Sequence, residues 1–132
     1  MIAADTNLMV RILVDDPGQP EQVTIARMLA SEAKQIFVAQ IVAVEVVWVL
    51  QSAYKLDKLA IVQLLEHLLH NSAFTLQAED HFLAALILFK KYNCDFSDCL
   101  IATESQSANC TLITFDKKLS RLPGVKLAKP NG

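Results

Sequence analysis

The sequence predicts an α/β fold, a parallel β-sheet covered by helices on both faces. Short apolar runs rich in β-branched residues alternate with longer runs of helical periodicity, the pattern of strands joined by crossover helices. Hydrophobic side chains make up 53% of the 132 residues and charged ones only 20%, which suits strands buried on both sides. Three glycines and four prolines leave no room for a disordered, collagen-like or low-complexity chain. The length suits one domain, residues 1–132, because domains typically run to about 100–200 residues.

The elements follow in order. Residues 1–4 are an apolar run ending in Asp5, a buried strand. Pro20 suits the first turn of a helix over residues 21–33. Residues 36–38 read as a second strand. The segment 41–50 is ambiguous: five valines and a tryptophan favour a strand by propensity, while its length equally allows a helix continuing to Tyr54. Such a helix, apolar all round, would be buried. In residues 59–70 the pairs Ile61/Val62, Leu64/Leu65 and Leu68/Leu69 form one apolar stripe, with Gln63, Glu66, His67 and His70 opposite. Residues 74–76 are a third strand. The helix over 79–92 opens with Glu79 and Asp80 and closes with Lys90 and Lys91, matching the helix dipole. Ser97 can cap a helix running to about Ala108. Residues 111–114 and 125–127 are further strands, separated by a short helix over 116–122 that stops before Pro123 and Gly124.

Charge and cysteine usage narrow the setting. Twelve Lys and Arg against fourteen Asp and Glu give a formal charge of −2, so the overall field does not mark a nucleic-acid binder. Residues 117–132 nevertheless carry Lys117, Lys118, Arg121, Lys126 and Lys129 and no acid, either a solvated basic end or a help in holding a polyphosphate. Cys94, Cys99 and Cys110 are odd in number and match no ligand spacing, so they read as reduced, buried thiols of a cytoplasmic protein. The first residues lack a basic leader, and the most apolar stretch, 36–50, falls short of the roughly 20 apolar residues a membrane span needs. No membrane association is expected.

The informative feature is the placement of four acids. Asp5 ends the first strand and Asp116 follows the fourth after one residue. In open α/β sheets ligands bind beyond the carboxyl ends of strands, so both acids are candidates to face one cleft. Glu45 interrupts a run of valines, where an isolated buried carboxylate costs several kcal/mol unless paired or bound to a metal. Asp98 shares a helical stripe with Ile101, Ala102, Ser105 and Ala108, which puts it on the inward face. Each has a local explanation. Asp98 suits a helix N-terminus, Asp116 and Asp5 suit caps, and Glu45 could pair with Arg11 or Arg27. Together these are four unrelated accounts where one acidic cluster needs one.

Clustered carboxylates require counter-charge. Oxygen ligands without His or Cys suit Mg²⁺ or Mn²⁺ rather than Zn²⁺, and such ions characteristically serve phosphate chemistry.

Asp5-Thr6-Asn7, Glu45 within Val-Glu-Val-Val-Trp48-Val-Leu50, Asp95-Phe-Ser-Asp98 and Thr114-Phe-Asp116 together resemble the PIN-domain ribonucleases, and more narrowly the VapC-type toxins of bacterial toxin–antitoxin pairs. The resemblance covers essentially the whole chain, with four motifs in order. It implies a central five-stranded parallel sheet with the first strand in the middle, and it implies that Glu45 lies on a helix. Asp5, Glu45, Asp98 and Asp116 correspond to the acids that hold one or two Mg²⁺ or Mn²⁺ ions. Asn7, Ser97 and Thr114 correspond to polar residues supporting that site. Arg11 matches an arginine often found after the first motif, without an assigned role. The implied activity is endoribonucleolytic hydrolysis leaving 5′-phosphate and 3′-hydroxyl ends, on transfer or ribosomal RNA, in single strands or loops. The implied partners are a cognate antitoxin, which blocks the acidic cleft, and a second copy of the chain in a homodimer.

Other readings compete. The chain could be a catalytically idle PIN fold serving as a protein-interaction module. A haloacid-dehalogenase-type phosphatase would need an acid at position 7, which is Asn, and a receiver domain would need one after the third strand, where Phe74-Thr-Leu-Gln77 has none. His67 and His70 fall on a polar stripe and read as solvated, while His81 has no evident partner. Trp48, Phe82 and Phe89 read as core or dimer residues before base-stacking platforms.

Overall fold

The computed structural model describes residues 1–130. It divides into two compact units, Met1–Glu79 and the part from Asp80 onward.

The first unit holds three parallel strands in the order β1-β2-β3, formed by Ile2–Ala3, Ile36–Val38 and Phe74–Leu76. Ile2 pairs with Ile36, and Ile36 in turn with Phe74. Parallel neighbours need long crossovers, and two helices serve each one. Helices α1 (Thr6–Leu13) and α2 (Pro20–Ala33) join β1 to β2, and α3 (Gln40–Ser52) and α4 (Lys58–His70) join β2 to β3.

Local chemistry sets the helix ends. Asp5 caps α1 by accepting from the Leu8 N–H at 2.9 Å. Pro20 occupies the first turn of α2. The Asp57 carboxylate caps α4 through the Ala60 N–H at 2.9 Å. The ambiguous valine-rich segment is helical. Val42, Ala43, Val46, Val47 and Leu50 are buried at helical spacing, so burial of one face overrides β-propensity. That helix is not buried all round, contrary to the expectation from its composition. Ile41 and Trp48 are 65% and 67% exposed, and Glu45 between them is exposed too. On α4, Ile61, Val62, Leu65 and Leu68 are buried while His67 and His70 face outward, as the stripe predicts.

The second unit holds all but the first residue of α5 (Glu79–Lys91), followed by α6 (Phe96–Ser107), β4 (Leu112–Thr114), a 3-10 turn at Leu119–Arg121 and β5 (Val125–Leu127). Its core gathers around Phe96, whose ring meets Phe82 at 5.5 Å and Phe89 at 5.9 Å, both edge-on. Phe82 and Phe89 are therefore core residues; Trp48 is not. β4 and β5 pair in parallel, with Ile113 opposite Lys126.

Four expectations need correction. The strands form a three-stranded and a two-stranded ladder rather than one clear five-stranded sheet, and within its own ladder β1 stands at an edge. With two residues in β1 and three in every other strand, each ladder carries few backbone hydrogen bonds. Ser97 does not cap α6: the cap position is Asp95. The expected helix over 116–122 is only the 3-10 turn at Leu119–Arg121. Among the cysteines Cys99 alone is buried, while Cys94 is half-buried and Cys110 exposed; all three are free thiols. No helix among the described residues is long and apolar enough to cross a membrane.

Candidate functional site

In the first unit the N-terminus of α1 brings the candidate acids into hydrogen-bonded relation. Asp5 follows β1, is exposed, and fixes its Oδ1 on the Leu8 N–H. Its neighbour Thr6 donates from Oγ1 to Glu45 Oε1 at 2.9 Å. Glu45 thus reaches from α3 to the residue beside Asp5. The expectation of a buried Glu45 fails, because its face of α3 points outward. The cations considered for it are engaged elsewhere: Arg11 lies 3.3 Å from Asp16, and Arg27 lies 3.2 Å from Asp15.

Asn7 is exposed one residue further along α1. It borders a cavity of about 580 Å³ that Arg11, Asp16, Val49 and Tyr54 also line. There Arg11 donates to the Tyr54 hydroxyl at 2.7 Å and, through Nε, to Gln22 at 2.9 Å. Tyr54 in turn donates to Asp16 Oδ2 at 2.7 Å. Arg11 is therefore part of a clasp between α1, α2 and the end of α3. The Tyr54 bond, the Gly18 N–H and the Arg11 charge hold the Asp16 carboxyl below its ordinary range.

In the second unit, Asp98 is half-buried in the first turn of α6. Burial raises its carboxyl above the ordinary aspartate range, and the negative charges of Asp95 and Asp116 push it the same way. These three acids therefore share one electrostatic neighbourhood. The inward face of α6 is Phe96, Cys99, Leu100, Ala102 and Thr103; of the expected stripe Ala102 is buried and Ser105 half-buried, while Ile101 and Ala108 are exposed. Asp98 sits at the boundary between the two faces.

Asp116 accepts at Oδ1 from the N–H groups of Lys118 (2.8 Å) and Leu119 (3.4 Å), while its own N–H donates to Thr114 Oγ1 at 3.0 Å. Thr114 thus supports Asp116 directly. Ser97 lies half-buried between Phe96 and Asp98. His81, without an evident partner in the sequence, meets the Ser107 hydroxyl at 3.2 Å.

Capping and ligand roles are compatible in these acids. Asp5 and Asp116 do cap local backbone N–H groups, as the local explanation requires. Each uses Oδ1 for it in the bonds described. The bonds lock the carboxylate and leave Oδ2 able to face a cation. Within either unit, no three His, Cys, Asp or Glu side chains among the described residues are grouped closely enough to hold an ion by themselves. The donor set is nonetheless the right kind for Mg²⁺ or Mn²⁺: all oxygen, with anchored carboxylates and a self-repelling acidic neighbourhood around Asp98. Sequence reasoning passed over two contributors. Thr6 was legible only as part of Asp5-Thr6-Asn7, and Asp95 looked unconstrained although its charge acts on Asp98, three residues along.

Over 131 residues the chain is 25% identical to the VapC ribonuclease of Aquifex aeolicus (strain VF5), an alignment spanning 96% of this chain and 94% of that protein. The PIN domain family matches residues 2–125, a stretch containing all four candidate acids, and the chain belongs to that family.

Proposed function

We propose that this protein is a metal-dependent endoribonuclease, the toxin of a toxin–antitoxin pair, with residues 1–132 acting as one catalytic domain. The observation that carries the reading is that residues 2–125, which match the PIN domain family, contain Asp5, Glu45, Asp98 and Asp116 in a chain similar along its length to a ribonuclease; the charges of Asp95 and Asp116 beside Asp98 agree with it. Like charges are kept together at a cost to stability, and a divalent ion would repay it.

In this reading Asp5, Glu45, Asp98 and Asp116 hold one or two Mg²⁺ or Mn²⁺ ions. When bound, the metal neutralises charge on the scissile phosphate and lowers the pKa of water. The chain's own residues prepare the site. The Leu8 N–H fixes Asp5, Thr6 orients Glu45, and the Lys118 and Leu119 N–H groups fix Asp116. Asn7, Ser97 and Thr114 support these acids. Water attacks phosphorus, the P–O3′ bond breaks, and the products carry 5′-phosphate and 3′-hydroxyl ends. The exposed Lys117, Lys118, Arg121, Lys126 and Lys129 offer counter-charge to an RNA backbone. A cognate antitoxin, a homodimer and a cytoplasmic location complete the proposal, with transfer or ribosomal RNA as substrate.

Asp5→Asn and Asp98→Asn test it directly. Each should slow cleavage of single-stranded RNA by about a hundredfold or more with Mg²⁺ or Mn²⁺ supplied, the scale on which lost electrostatic stabilisation is felt. Both variants cutting as fast as the parent would refute the assignment.

A further inference from the structure

Trp48 is the chain's sole tryptophan and is 67% exposed. An isolated exposed apolar side chain needs no explanation, but this one has particular company. It lies one turn beyond Glu45 on the same face of α3, and residues three apart on a helix have Cβ atoms about 5–6 Å apart. Ile41, 65% exposed, lies one turn before Glu45 on that face. The candidate acid therefore stands inside an apolar strip open to solvent.

The acid decides what can cover the strip. A protein surface laid over Ile41 and Trp48 would bury Glu45 with them, and a buried carboxylate without counter-charge is costly. Arg11 and Arg27 of this chain are paired with Asp16 and Asp15, so a covering protein would have to bring a cation of its own to Glu45. A nucleobase behaves differently. It stacks on the indole face and leaves the neighbouring carboxylate among phosphate, cations and water. The second unit repeats the combination: Phe115, 88% exposed, immediately precedes Asp116.

We propose that Trp48 is a stacking platform for an unpaired base of the RNA substrate, holding a single strand beside Glu45. The inference rests on the nuclease reading for its substrate class. It makes Trp48 a specificity-determining residue, because bases inside a duplex have both faces covered and cannot use the platform.

A lone tryptophan reports on itself. The parent protein, mixed with Mg²⁺ and single-stranded oligo(rA) in a stopped-flow instrument, should show saturable quenching of Trp48 emission before turnover. A duplex of equal length should leave the emission unchanged. Trp48→Ala should raise KM for single-stranded RNA about ten- to a hundredfold, with a much smaller change in kcat. Trp48→Phe should recover most of the loss. Unchanged emission while labelled RNA binds by anisotropy would overturn the proposal, as would an equal KM in Trp48→Ala. A shift of RNA-free Trp48→Ala to a smaller species in sedimentation would also overturn it, assigning the face to a second copy. Failure of the nuclease reading looks different: Asp98→Asn would cut like the parent whatever Trp48 emission did.

Discussion

Asp98 is where a single residue carries most of the chemistry. Its half-buried carboxyl is raised by burial and by Asp95 and Asp116, so its ionised form works against folding. A carboxyl whose folded pKa lies above its unfolded value loses stability as pH rises through that interval. Asp98→Asn should therefore raise the Tm of the metal-free protein at neutral pH, by roughly 1–3 °C for a domain of this size. Thermal melts in chelator check this, and a lower Tm would contradict it. The sequence made Asp5 and Asp116 legible, because an acid beyond a strand end is visible in one dimension. It misjudged Glu45 and Asp98. Glu45 has apolar sequence neighbours yet faces out of α3, and Asp98 owes its environment first to partial burial and then to Asp95 and Asp116, the latter distant along the chain.

At the scale of elements, most helices could be read from stripes and caps, and α3 shows why that reading stops. Its valines favour extended backbone, and only the resemblance assigned it to a helix. The buried face of Val42, Ala43, Val46, Val47 and Leu50 explains why tertiary packing wins, but which face stays open is a property of the assembled unit. The clasp of Arg11, Asp16 and Tyr54 was likewise invisible, since it joins residues 38 and 43 positions apart. It makes a separate prediction. Asp16 is held below its ordinary range, chiefly by the Tyr54 hydroxyl, so its contribution exists above the unfolded value and fades as pH falls through the folded one. Tyr54→Phe should lower Tm by a few degrees at neutral pH. The gap to the parent should narrow on acidification below about pH 4, near the unfolded aspartate value. A gap independent of pH would mean that the ring's packing, not its hydroxyl, matters.

For the whole molecule, a net charge of −2 conceals an uneven distribution. Three of the candidate acids lie at strand ends or helix starts and Glu45 lies within α3, while a basic run follows Asp116. Two divalent ions would cancel the four proposed ligands and leave ten acids against twelve bases, a net +2, while one ion would leave the chain neutral; either way the metal-loaded protein would be better suited to an RNA backbone. Composition alone could not reveal this, because it counts charges without placing them. The α/β class and most of the element order were legible, while α1 and the helical state of α3 were not read from the residues alone. The division of the strands into two ladders was not, because runs of two or three residues do not specify which neighbours they pair with.

Calorimetric titration of Mn²⁺ into the metal-free, folded chain tests the central claim most directly. Saturable binding of one or two ions is expected, weakened at least tenfold by Asp98→Asn and by Glu45→Gln. No binding heat at millimolar Mn²⁺, or equal affinity in both variants, would contradict it.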